Sequence, residues 1–342
     1  MTSRRSGTSR GQLRPQWAAV LLAVASLIAA TQWAGQVWAQ ADVRRVGVLS
    51  YSAAADNPGF KAVLDVFRRE LASLGWIEGK NMVLEYRDAG GDPRRFPVAA
   101  EALAGLDVDV IFATSAPALR AAHAATRTIP IVGGDFTSDP VAEGYIRSYV
   151  RPGGNVTGVF LDAPEFAGKW FELLREIIPG LSRVAVLWDP GPGTAHLQAV
   201  RSVAGRLGIT LQILEASRPD DLDRAFIALD RRSQAIILLP SPMVYGQSAR
   251  LASLALQHAL PATSMAREFA IAGGTLAYGP ERASVWKRCA SLVARILDGA
   301  APADVTAQRA SRIELVVNLK TARALGIAIP QSILLRAEEV IR

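Results

Sequence analysis

Arg44-Arg45-Val46-Gly47-Val48-Leu49-Ser50 returns further along the chain as Ser182-Arg183-Val184-Ala185-Val186-Leu187-Trp188. Each run is short, apolar and rich in β-branched residues, which predicts a buried parallel strand. Each leads into an amphipathic stretch that ends on a Leu-Gly turn, Leu74-Gly75-Trp76 in the first half and Leu207-Gly208-Ile209 in the second. Val108-Asp109-Val110-Ile111-Phe112-Ala113-Thr114-Ser115 is answered by Gln234-Ala235-Ile236-Ile237-Leu238-Leu239-Pro240-Ser241, and Thr128-Ile129-Pro130-Ile131-Val132 by Ala259-Leu260-Pro261-Ala262-Thr263. An α/β chain that repeats itself makes two similar lobes, and two lobes side by side make a cleft suited to a small ligand.

Working outward, the pattern alternates strand-like and helical segments. Strands are expected at Val46–Ser50, Met82–Tyr86, Val110–Thr114 and Ile129–Val132, with helices at Gly59–Leu74, Arg94–Leu106 and Ala116–Thr126. The first helix carries Phe60, Val63, Leu64, Phe67, Leu71 and Leu74 on one face, the 3.6-residue period of a core-facing helix. Pro152-Gly153-Gly154-Asn155 then breaks the pattern and reads as a crossing between lobes. The second set starts at Val156. Its helices are expected near Phe166–Ile178, Ala195–Leu207, Asp220–Asp230 and Tyr245–His258, and its strands at Val184–Trp188, Leu211–Leu214, Ala235–Leu239 and Thr275–Ala277. Gly273-Gly274 and Gly279-Pro280 bracket a second crossing, helix Ala283–Leu297 returns to the first lobe, and Ile313–Asn318 crosses again. The expected division is 42–154 plus about 279–311 for the N-terminal lobe, and 155–278 plus about 312–342 for the C-terminal lobe.

Residues 1–39 read as an export signal rather than as fold. Arg4, Arg5, Arg10 and Arg14 precede the apolar run Trp17 to Ala30, and Val37-Trp38-Ala39 suits cleavage before Gln40. The run is short for a membrane span. A lipoprotein needs Cys at the cleavage point, and the single cysteine is Cys289. The expected location is therefore the periplasm. Without the signal the net charge falls from +7 to +3, with 34 basic against 31 acidic residues, and the basic residues are scattered. That is too mild to argue for nucleic acid, and none is expected as a partner. Nothing requires more than a monomer.

Catalytic and metal signatures are missing. His123, His196 and His258 have no metal-ligand spacing, there is no Gly-Lys-Ser phosphate loop, and Gly191-Pro192-Gly193 lacks the third glycine of a dinucleotide fingerprint. No cofactor, metal or catalytic residue is expected. What remains is a set of polar residues at the carboxyl ends of strands, where open α/β sheets bind ligands. The first lobe offers Tyr51 and Ser52, then Thr114, Ser115 and Ala116 at a helix start suited to an anion, then Asp135 and Asp139. The second offers Asp189, Ser241, Arg267 and Tyr278. Ser115 can cap its helix and touch a ligand at once. Arg267 and Glu268 could pair with each other, and Trp170, Trp188 and Trp286 read as core.

These residues sit inside stretches that resemble the ABC-transporter substrate-binding proteins of the tryptophan/tyrosine type. The stretches include Leu74-Gly75-Trp76-Ile77-Glu78-Gly79-Lys80-Asn81, Arg151-Pro152-Gly153-Gly154-Asn155-Val156-Thr157-Gly158, Arg267-Glu268-Phe269, Tyr278-Gly279-Pro280 and Glu314-Leu315-Val316-Val317-Asn318-Leu319-Lys320-Thr321-Ala322. The resemblance implies a type I periplasmic-binding fold: two Rossmann-like lobes with parallel sheets, joined by three crossings. It also implies a permease and an ATPase in the inner membrane as partners. Ser52, Thr114, Ser115 and Ala116 would hold a ligand carboxylate. Relatives often place an Asp for the ligand ammonium in the loop after the Ile236–Leu239 strand, where this chain has Ser241. Asp135, Asp139 or Asp189 would then supply the charge, or the ligand lacks an amine. The function implied is capture of a small organic solute, such as an aromatic amino acid or carboxylate, for an importer. The alternative is a ligand-sensing module for a membrane receptor kinase.

Overall fold

The computed structural model describes residue 2 and residues 43–161 and 163–342. The expected export signal lies outside the described residues. From residue 44 onward the chain runs β1 (Arg44–Ser50), α1 (Pro58–Ser73), β2 (Met82–Asp88), α2 (Phe96–Ala104), β3 (Val110–Ala113), α3 (Ala116–Ala125), β4 (Ile131–Asp135) and β5 (Val156–Phe160). It continues with α4 (Ala163–Ile177), β6 (Arg183–Trp188), α5 (Ala195–Leu207), β7 (Thr210–Glu215), α6 (Asp221–Ile227), β8 (Ala235–Leu238), α7 (Pro242–Gly246), α8 (Ser248–Gln257), β9 (Ala262–Ser264), α9 (Arg267–Ile271) and β10 (Leu276–Pro280). The last elements are α10 (Arg282–Leu297), β11 (Gln308–Arg309), β12 (Ile313–Asn318), α11 (Leu319–Ala324), α12 (Gln331–Leu334) and β13 (Glu339–Ile341).

The strands form two sheets of the same design. The first has the order β11-β5-β4-β3-β1-β2 and the second β13-β12-β10-β9-β8-β6-β7. All neighbours are parallel except β10 and β12. The internal repeat is thus a repeat of topology, and each sheet reverses its winding once, between β1 and β3 and between β6 and β8. Those reversals open crevices at the carboxyl ends of the strands.

Local chemistry explains the elements. β1 is buried from Val46 to Ser50, so its continuous apolar run has a core on both faces. α1 starts where Asn57 Oδ1 accepts from the Phe60 amide at 3.0 Å with Pro58 in its first turn. The two Leu-Gly turns are one motif. Gly75 and Gly208 have φ of 94° and 67°, and Trp76 and Ile209 amides return to Leu71 and Ala204 carbonyls, each at 2.9 Å. Leu74, expected on the buried face, lies beyond the last turn and is exposed. α10 closes the first core: Trp286 packs edge-on against Phe60 and Phe112, with ring centroids 5.5 and 4.9 Å away.

Two boundaries differ from the sequence reading. β5 pairs in register with β4, Ile131 opposite Val156 and Asp135 opposite Phe160, so the strand beginning at Val156 extends the first sheet rather than opening the second. The chain leaves for the second sheet after Phe160, not at Pro152–Asn155. An apolar five-residue strand carries no mark of which sheet it joins, and the turn cluster serves instead to bring β5 beside β4. The segment 245–258 forms two helices, α7 and α8, that meet at Gln247. Three passages link the sheets: after β5, between β10 and α10, and between β11 and β12.

Candidate functional site

Both reversal points face one cleft. Tyr51 and Ser52 arrive from β1, Thr114, Ser115 and Ala116 from β3 and the start of α3, and Asp135 from β4. Ser241 arrives from the loop after β8. The space among the lining atoms, open solvent at the mouth included, is about 620 Å³. Seven of the sequence-selected residues therefore share one wall.

The polar groups are set by short local bonds. Thr114 Oγ1 donates to the Leu49 carbonyl at 3.0 Å, tying the ends of β1 and β3 together. Ser115 caps α3, its Oγ accepting from the Ala118 amide at 3.4 Å. Pro117 has no amide hydrogen and Ala118 is engaged, so the Ala116 amide is the donor left at this helix start. Ser241 caps α7 in the same way, accepting from the Val244 amide at 3.1 Å. Its hydroxyl lies near Asp189 and offsets part of the effect of burial on that carboxyl. Replacing Ser115 with Ala is expected to lower the stability of the unliganded protein by about 1 kcal/mol through loss of the cap, as well as to weaken solute binding. Denaturant unfolding and a binding titration on the same variant check the two effects.

Two carboxylates sit in or behind the wall with no ion-pair partner among the described residues. Asp135 is fully buried. It accepts from the Thr137 amide and hydroxyl at 2.8 and 2.9 Å, from the Ser138 amide at 3.3 Å and from the Ser138 hydroxyl. Burial pushes its carboxyl up, and those hydrogen bonds pull part of the way back. Asp189 lies behind Ser241, accepts from the Gly191 amide at 2.9 Å and is also raised by burial. Tyr51 donates to the Gly91 carbonyl at 2.5 Å. Burial, then the nearby charge of Asp189, holds its phenol protonated.

Four of the selected residues do not line the cleft: Asp189, which lies behind Ser241, and three that lie elsewhere. Asp139 is exposed and accepts from the Val141 and Ala142 amides at 2.9 and 3.3 Å, the work of a turn former. Arg267 turns to the far side of α9 and pairs with Glu314 at 3.2 Å and Glu339 at 2.5 Å, not with Glu268. Tyr278 lines a separate hollow beside Phe166 and Ile313.

The sequence reading also missed part of the wall. Asn57, Phe60, Tyr245, Arg282 and Trp286 all line the cleft, and all but Asn57 come from helices. Trp286, read as core, is both core and cleft wall. Arg282 starts α10 and pairs with Glu268 of α9 at 3.0 Å. His196, noted in the sequence only for lacking a metal-ligand spacing, joins the lobes. Its Nε2 donates to the Phe136 carbonyl beyond β4 at 2.7 Å, and burial holds its imidazole down at about 4. Arg120 of α3 fastens the same side, donating to the Gly191 and Pro192 carbonyls at 3.2 and 3.3 Å.

Residues 49–341 match the model of the family described as ABC transporter substrate binding protein. The chain belongs to that family. A curated relative, the tyrosine-binding protein of Clostridioides difficile (strain R20291), is 21% identical over 291 residues, covering 84% of this chain and 83% of that one. A conserved domain protein from Vibrio cholerae, 28% identical, superposes with a TM-score of 0.80 over 87% of this chain and 99% of its own. The ABC domain from Streptococcus pneumonia in complex with L-Trp gives 0.79 at 21% identity, over the same shares. As a member of the family the chain has the two-lobed α/β fold of periplasmic binding proteins with parallel sheets. The family's work is binding substrate for ABC transporters. Among the described residues no group of three His, Cys, Asp or Glu is placed to hold a metal ion, and no helix is long and apolar enough to cross a membrane.

Proposed function

We propose that this chain is the periplasmic solute-binding component of an ABC importer and that its solute is an amino acid, with the aromatic ones favoured. The observation that carries this is the meeting of both winding reversals in one cleft. There the α3 start with Ser52, Thr114 and Ser115 suits a carboxylate, buried Asp135, with Asp189 behind Ser241, suits an ammonium, and Phe60 and Trp286 offer aromatic walls. The tyrosine-binding and L-Trp-bound relatives support an aromatic amino acid. Asp189, reached through Ser241, supplies the acidic group that the resemblance places in the following loop. Solute favours the closed arrangement because Ser115 and Ser241 stand on different lobes. A permease and its ATPase in the inner membrane then receive the closed, monomeric protein, which was exported by residues 1–39.

A thermal-shift screen of protein freed of carried-over solute by unfolding and refolding tests the reading. Tryptophan, tyrosine or phenylalanine at 100 times its dissociation constant should add about 2.7 kcal/mol of stability. A response confined to amine-free acids would reject the amino-acid assignment and keep the cleft. No response to any amino acid, carboxylate or purine would remove the solute-capture reading.

A further inference from the structure

The second lobe meets the first along the connection from β6 to α5. Arg120 of α3 donates through Nη1 to the Gly191 carbonyl at 3.2 Å and through Nη2 to the Pro192 carbonyl at 3.3 Å. One planar guanidinium thus holds two successive carbonyls, a fork that a single ammonium cannot match. The gripped loop has its own internal bonds. Asp189 Oδ1 accepts from the Gly191 amide at 2.9 Å, and Trp188 Nε1 donates to the Gly193 carbonyl at 3.1 Å. A Cβ on Gly191 would stand 3.7 Å from Pro93 Cγ, so the first lobe touches this loop from a second segment as well. Pro192 lines the cleft, whereas Arg120 is not among the residues that line it.

Sheet order puts this contact away from the hinge. The strands at the three passages, β5 and β11 in the first sheet and β10 and β12 in the second, lie together at one side of each sheet. β3, which leads into α3, stands two places in from β5, and β6, which leads into the gripped loop, three places from β10. A swing of the lobes about the passages therefore parts Arg120 from its two carbonyls. The start of α3 faces the cleft and Arg120 lies further along the same helix, so the solute-facing groups and the grip on the second lobe move as one body. Resting on the solute-capture reading above, we propose that Arg120 is a positioning residue for capture: its fork forms as the lobes close and holds them closed on any solute, with no part in choosing among solutes. A bond made only in the closed state raises the apparent affinity of every solute that favours that state by one common factor.

The test is calorimetric titration and stopped-flow release of L-tryptophan, L-tyrosine and L-phenylalanine from the full-length protein, with Arg120→Ala and Arg120→Lys beside the wild type. Arg120 is exposed, so both variants should keep native circular dichroism. Arg120→Ala should raise every measurable dissociation constant by the same factor, at least about fivefold, mostly through faster release. Arg120→Lys should fall between, since an ammonium keeps one of the two bonds. Unchanged constants and release rates in Arg120→Ala would overturn the clasp. Unequal changes among the solutes would also overturn it, since Arg120 would then be touching solute. If the wild type bound none of the three, the amino-acid reading would fall, and small-angle scattering of the solute-free proteins would decide the clasp. Arg120→Ala should then be more expanded than the wild type, and equal radii of gyration would overturn the proposal.

Discussion

Gly158→Ala is expected to lose about 3 kcal/mol of stability or more. β4 and β5 approach face to face at Gly133 and Gly158. A Cβ on Gly158 would fall well inside contact distance of the Gly133 carbonyl oxygen and amide nitrogen. Those are backbone atoms in a sheet interior, so they cannot turn aside as a side chain can. The glycine also sits at φ 156°, near the edge of what an L-residue tolerates. Overpacking alone costs roughly 1–3 kcal/mol, and an unfavourable backbone position adds a comparable amount. Gly133→Ala is a milder neighbour, since its Cβ meets the flexible Leu119 side chain at 3.1 Å. Denaturant unfolding of the two variants in parallel checks the order. Equal losses would mean that β4 and β5 are not held this close.

His196 should make the protein sensitive to mild acid. Burial keeps the imidazole neutral in the folded protein down to about 4, from an ordinary value of 6.5. Below pH 6.5 the unfolded chain takes up a proton that the folded chain refuses until about pH 4. Stability from this residue is therefore complete above pH 6.5 and is lost as pH falls toward 4. The full loss is about 3 kcal/mol, at 1.36 kcal/mol per unit. Asp135 and Asp189 act in the opposite sense. Their raised carboxyls take up protons in the folded state first, which adds stability on acidification. Wild type must therefore be compared with His196→Gln rather than read alone. Unfolding free energies at pH 7 and pH 4 should show the wild type's advantage over the variant shrinking by about 3 kcal/mol. An advantage that is flat with pH would mean that the imidazole is not held neutral.

Strands were legible because a buried parallel strand is a run of adjacent residues. The repeat of Val46–Ser50 in Val184–Trp188 carried the common sheet order with it. The polar residues that follow those strands, Ser52, Thr114, Ser115 and Ser241, were legible for the same reason: a parallel sheet fixes where its carboxyl ends point. Phe60, Tyr245, Arg282 and Trp286 were not, because a helix residue's neighbours depend on how the helix docks. Periodicity placed Phe60 on a buried face and Trp286 read as core, and both are buried, but neither reading could tell a core from a cleft wall. Arg267 and Glu268 are adjacent in sequence and so point apart on α9, which is why each finds a different partner. Asp139 follows a strand as the others do, but a turn absorbs it, while β10 runs on to Pro280 and leaves Tyr278 in mid-strand beside a second hollow.

The three passages between the sheets have a consequence for the order of assembly. The first sheet is formed by residues 44–160, yet the helix that covers one of its faces, with Trp286, and its edge strand β11 are written after residue 281. The second sheet likewise waits for β12 and β13, of which β12 lies beside β10. Neither half can therefore finish before nearly all of the chain is present. Such long-range closure slows folding. A chain of this plan cannot close either core until most of it has emerged.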